Sequence, residues 1–343
     1  MAFASGGRLS IPSGAFRPAV PTGDGMGIGP TGVAGADPRR DETAIGFGLA
    51  FAGLVAVSLW ASLVASAVEH VSGWVGGAVE PLVLVSGVTS VVGFVLGSVA
   101  YARHRGFEFG LSLPRRGTRR TVARVVLAPA VLTAGTALVG NALFGVTLSS
   151  MTGRWISPEA RVGVLLAAVV VPAAFLGLGY GFLFCGVAYE RVHELVVPEH
   201  AVVVAATLAG FFRLLPVDAA RALPYSLGGA VEFLLSLTFG VALGAGLGVL
   251  YRHAGRSPAA SLERRHLFVL AVATLGVVGV ATDLADLPGA VGDLLWVLVL
   301  GVAVLGYGRT RSVWVPVLSI TVFQVALAGV VYAEALLGLA AGP

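Results

Sequence analysis

From Val162 to Ala188 the chain reads VGVLLAAVVVPAAFLGLGYGFLFCGVA, without one charged residue in the run. An apolar stretch longer than roughly 18 residues is long enough to cross the hydrocarbon core of a bilayer as a helix. Runs of this kind recur near 45–68, 77–101, 122–147, 161–188, 201–216, 228–251, 267–284, 290–307 and 314–338, the fifth being short. The composition agrees: 57% of the 343 residues are hydrophobic and 12% charged, against about 25% charged in an ordinary soluble domain. Mean hydropathy is +0.91. Lipid offers no hydrogen-bond partner to an open sheet edge, and no alternating strand pattern is present, so helix is the expected state. The expected fold class is therefore all-α, a polytopic membrane bundle of eight to nine helices, and a soluble enzyme is excluded.

Residues 1–44 differ in kind. They are rich in Gly, Pro, Ala and Ser, end in the polar patch Asp37-Pro38-Arg39-Arg40-Asp41-Glu42, and hold too little apolar surface to offset the entropy of ordering. A disordered tail over 1–44 and a transmembrane domain over 45–340 are the expected organisation. The tail lacks the apolar core of a secretory signal.

All 22 basic residues are arginine, against 18 acids, for a net charge of +4. They gather in short loops between the apolar runs: Arg103, Arg105, Arg115, Arg116, Arg119 and Arg120 after the second run, Arg252, Arg256, Arg264 and Arg265 after the sixth, Arg309 and Arg311 before the last. That placement points to lipid headgroups and to control of insertion, not to nucleic acid. The positive-inside rule puts the N-terminus in the cytoplasm of a multi-pass cell-membrane protein and the C-terminus outside. One cysteine, Cys185, excludes an internal disulfide and a cysteine zinc cluster. No cofactor or metal is implied.

The stretch Tyr180-Gly181-Phe182-Leu183-Phe184-Cys185-Gly186, followed by Val187 and Arg191, resembles the first motif of the CPBP intramembrane endopeptidases, the Abi or type II CAAX-protease-like family, commonly EELLFRG. Phe184 and Gly186 keep the frame. Both glutamates and the arginine are replaced, by Tyr180, Gly181 and Cys185. Arg213, in LAGFFRLL, stands where the second motif carries histidine. Tyr307, Arg309, Thr310, Trp314, Val315, Pro316 and Leu318 resemble the entry to the last motif, with Ile320 at its histidine position and Gln324 at its asparagine position. The resemblance covers roughly 161–216 and 300–330, with a CPBP-like core over about 161–330. It implies a site where Tyr180, Arg213 and Ile320 face one another across the helices. In such a family a glutamate activates water and histidines with asparagine stabilise the oxyanion. General-base catalysis needs a titratable group within hydrogen-bond reach of that water, and these positions supply no carboxylate or imidazole. The implied reading is a homologue without catalysis that binds a membrane protein or lipidated peptide.

Other readings stay open. Glu190, His193 and Glu194 share a short loop-side helix face and could hold a metal or support displaced protease chemistry, although Val197 occupies the second histidine of an HExxH pattern. Arg213 and Glu232 are charges within adjacent spans and are expected to pair; charges inside spans also suit a small-molecule transporter or channel component. Cys185 reads as a packing thiol. Glu80, Asp283, Asp286 and Glu334 fall at the expected outer boundaries and read as interfacial.

Overall fold

The computed structural model describes residues 46–68 in part, 86–159, 162–213 apart from 197, position 238, and 287–339. The described residues contain helices, turns and loops, and no strand among them. The elements are a π-helical stretch Thr89–Leu96 running into α1 (Gly97–Arg105), then α2 (Arg119–Phe144), the short α3 (Leu148–Thr152) and α4 (Val162–Tyr180). A second π-helical stretch, Gly181–Ala188, leads into α5 (Tyr189–Leu195), followed by α6 (Pro198–Arg213), α7 (Leu287–Thr310) and α8 (Trp314–Leu336). Four helical spans among the described residues are long and apolar enough to cross a membrane: Arg119–Phe144, Ala168–Leu195, Pro288–Thr310 and Trp314–Leu336. The expected count of eight to nine is reached only to that extent. The tail over 1–44 and the runs near 228–251 and 267–284 lie outside the described residues, save Thr238.

Helix α2 shows why the chain suits an apolar solvent. Its buried positions are Val125, Pro129, Thr133, Ala137 and Gly140, a stripe at intervals of three or four. Its exposed stripe holds Leu127, Val131, Leu138 and Leu143, each more than half exposed. Small and polar residues thus face the neighbouring helix while leucine and valine face outward, the arrangement expected where the solvent is lipid. Pro129 sits inside this helix and has no N–H, so the carbonyl of Val125, four residues earlier, loses its helical partner. Ser319 of α8, fully buried, donates its hydroxyl to that carbonyl at 3.1 Å. Thr133 in turn donates to Pro129 O at 2.8 Å.

Helices α4 and α8 meet through glycine. A Cβ on Gly177 would lie 2.3 Å from Thr321 Oγ1 and 2.6 Å from Val317 O, so only glycine allows this approach. The Thr321 hydroxyl donates to Val317 O at 2.8 Å, inside its own helix.

At the end of the bundle away from the arginine-bearing loops, Glu334 departs from the interfacial reading. It is 6% exposed, and its carboxylate accepts hydrogen bonds from Leu148 N at 2.6 Å and Ser149 N at 2.9 Å. A five-residue helix cannot satisfy its own first N–H groups, and the acid of α8 closes them together with the Thr147 side chain, which accepts from Ser150 N. The acid is held inside because it caps a neighbouring segment.

The Ser319–Val125 bond gives a direct test. Ser319→Ala leaves a buried carbonyl without a partner and is expected to lower unfolding free energy by about 1–3 kcal/mol. In a Pro129→Ala background, where residue 129 regains an N–H for Val125 O, the same substitution costs clearly less. An equal cost in both backgrounds, measured by denaturant titration in mixed micelles, overturns this role for Ser319.

Candidate functional site

The motif positions inside the span fall into a packed apolar core. Every residue of Gly181–Ala188 is buried; Cys185 is a free thiol with no exposed surface. This stretch is π-helical, with i→i+5 bonds, and π-helical turns often mark functional sites. Here they widen the turn at a point where α8 presses close: a Cβ on Gly181 would meet Val317 Cγ2 at 2.8 Å. The Tyr180 ring lies 5.4 Å from Phe94, 5.6 Å from Phe184 and 5.4 Å edge-on from Trp296. Trp296 then stacks edge-on against Phe323 at 5.0 Å. Ile320 is fully buried and belongs to the same cluster.

Two of the three positions expected to face one another, Tyr180 and Ile320, are thus brought into one aromatic and aliphatic core. Arg213 ends α6, its side chain lying outside the described residues, as does Glu232; the expected Arg213–Glu232 pair therefore falls there too. Gln324 is 3% exposed and its amide nitrogen has no hydrogen-bond partner.

The polar chemistry lies one turn further along, at the arginine-bearing end. Glu190, in the first turn of α5, accepts from the Tyr307 hydroxyl at 2.8 Å and from Arg311 Nη1 at 2.9 Å. Arg311 Nη2 contacts His193 Nε2. A guanidinium can only donate, so this ring nitrogen is the acceptor of the contact, leaving Nδ1 as the ring's other polar atom. That Nδ1 atom is buried and has no partner. The guanidinium also lies 5.6 Å over the Tyr189 ring, a cation–π distance, and the Tyr189 and Tyr307 rings meet edge-on at 5.5 Å. Glu194 takes no part in this; it pairs with Arg191 at 2.5 Å on the exposed face.

Backbone geometry aims Arg311 at this cluster. It follows the last residue of α7 with φ 51°, the left-handed conformation that normally goes to glycine at a helix end. Its N–H bonds back to Tyr307 O at 2.7 Å. The loop 106–113 is laid over the same place: Gly110 N donates to the Tyr307 hydroxyl at 3.5 Å, Val313 N to Gly110 O at 2.9 Å, the Ser312 hydroxyl to Ser112 O at 2.7 Å and Trp314 Nε1 to Leu111 O at 2.8 Å. A Cβ on Gly110 would fall 2.0 Å from Arg311 O, so no other residue fits there.

The arrangement has a chemical consequence. Glu190 and His193 do come together, as their i,i+3 spacing allows, but the cation between them is the Arg311 guanidinium, seated where a metal would have to lie. Among the described residues no three His, Cys, Asp or Glu side chains form a metal-sized group. Tyr307 and Arg311 are the members of the cluster that sequence reasoning did not connect with Glu190. Their own i,i+4 spacing, opposite an i,i+3 pair of Glu and His, is the signal that was there to read.

With side chains 49% and 17% exposed, the Arg311–Glu190 pair is worth at most about 1 kcal/mol, and the left-handed backbone opposes it. Arg311→Gly removes the side chain and the strain together, whereas Arg311→Ala removes only the side chain. The alanine variant is expected to be less stable than the glycine variant by about 1 kcal/mol, and Glu190→Gln to cost less in either than in the wild type. Equal thermal midpoints for the two variants would contradict the strain.

Comparison of the chain with protein-family models, with curated proteins and with solved structures gives no match.

Proposed function

We propose that this chain is an integral membrane protein on a scaffold like that of the CPBP intramembrane endopeptidases, without their catalysis, and that it binds a membrane protein or a lipidated peptide. The observation that carries the reading is the content of the motif positions. Tyr180, Gly181, Cys185 and Ile320 occupy a core of Phe94, Phe184, Trp296 and Phe323 that offers no carboxylate or imidazole to activate water. The carboxylate and imidazole nearest along the chain, Glu190 and His193, are both engaged by Arg311. With the frame of the motifs kept and the proton-handling groups replaced, binding is the role left to the scaffold.

The proposed orientation puts the N-terminus in the cytoplasm and the C-terminus outside the cell membrane. It is supported by the gathering of loop 106–118, α5 and Arg309 with Arg311 at one end of the bundle, and of α3 with Glu334 at the other.

The test is the full chain reconstituted in proteoliposomes with a fluorogenic transmembrane reporter peptide. The expected rate equals that of empty vesicles, for the wild type and for Glu190→Gln alike. Cleavage by the wild type that disappears in Glu190→Gln would instead establish an active protease with displaced residues.

A further inference from the structure

The start of α2 carries charge of the wrong sign for a helix beginning. Partial positive charge collects at a helix N-terminus, where acids are favoured and cations cost stability. Yet the first turn holds Arg119 and Arg120, no acidic residue, and no side-chain cap. Thr118, placed to cap it, donates its hydroxyl to Arg115 O at 2.7 Å instead. Arg115 and Arg119 are both exposed, and neither has an ion-pair partner among the described residues.

These two arginines line an open cleft of about 620 Å³ whose other lining is apolar, with Val122, Val126 and Leu127 of α2 and Leu318 of α8 among it. The apolar lining runs on into the exposed stripe of Leu127, Val131 and Leu138. A helix long and apolar enough to cross a bilayer has its first turn at the level of the headgroups. Two guanidiniums without an ion-pair partner among the described residues, and a helix start without a side-chain cap, therefore border an apolar groove at that level.

We propose that this cleft is a binding site for one anionic phospholipid, its phosphate held between Arg115 and Arg119 over the first turn of α2 and its acyl chain lying on Val122, Val126, Leu127 and Leu318. Charge complementarity selects the anion; the apolar lining selects a lipid over a free phosphate, which would leave the groove unfilled. The site stands whether or not the scaffold binds a peptide or membrane protein.

The experiment uses the full chain in neutral detergent, offered phosphatidylglycerol or phosphatidylcholine of the same chain length, with bound lipid counted by native mass spectrometry. Phosphatidylglycerol is expected to be retained about tenfold more than phosphatidylcholine. Arg115→Gln with Arg119→Gln removes that preference, while Arg105→Gln with Arg124→Gln, an equal change of charge outside the cleft, keeps it. Val122→Trp fills the groove without altering charge and lowers phosphatidylglycerol retention too, giving a readout if the arginine variant fails to fold. Equal retention of the two lipids, equal loss in the control variant, unchanged retention in Val122→Trp, or displacement by an equal concentration of glycerol phosphate would each overturn the proposal.

Discussion

The hydrogen bond from the Ser319 hydroxyl to the carbonyl of Val125 states in one contact the constraint that shapes the rest of this molecule. In an apolar solvent every backbone polar group must find its partner within the protein, because no water is present to take its place. Pro129 breaks that rule inside α2, and a serine from another helix repairs it. The repair fixes the rotation and the depth of α8 against α2. Other contacts then follow: Gly306 beside Val125, and Gly177 under Val317 and Thr321.

The same constraint explains where buried Glu334 and half-exposed Arg311 sit. Glu334 and Arg311 are at opposite ends of the final helical pair, and each is tied to the backbone that surrounds it. Glu334 receives the free N–H groups of α3. Arg311 holds a left-handed turn between α7 and α8 and spans Glu190 and His193, while loop 106–113 bonds to Tyr307, Ser312 and Trp314 around it. Glu334 thus closes irregular backbone at one edge of the bundle, while the Arg311 guanidinium joins two side chains at the other. Between them the core carries aromatic rings in edge-on contact, which fill space without asking for hydrogen bonds.

That division bears on the proposed function. A hydrolytic centre within a membrane needs a polar pocket at mid-depth, and Tyr180, Gly181, Cys185 and Ile320 are instead packed among aromatic and aliphatic side chains. Among the described residues, Glu190, His193, Tyr307 and Arg311 meet at the end of the bundle, where the carboxylate accepts from the phenol and the guanidinium and the guanidinium also reaches the imidazole, whose Nδ1 stays without a partner. A scaffold so arranged is suited to presenting surfaces, and the exposed Leu127 and Leu138 of α2 together with exposed Arg115 and Arg119 form one such surface.

Length and composition of the apolar runs determined by themselves that the chain is helical and suited to a membrane, because the cost of unpaired backbone in lipid leaves no other choice for runs of that kind. They also determined that Cys185 would be a packing thiol and that Glu190 and His193 could share a helix face, since these follow from local composition and spacing; that Ile320 is fully buried in the same core was decided by the tertiary structure. Only the tertiary structure decided that Arg311 would lie between that pair, that Glu334 would be buried, and that Ser319 would answer a proline nearly two hundred residues away in the chain. Hydrophobic pattern fixes which residues leave water. Which polar group meets which depends on helix rotation and on turns such as the π-helical Gly181–Ala188, and a periodicity of 3.6 residues carries no record of those.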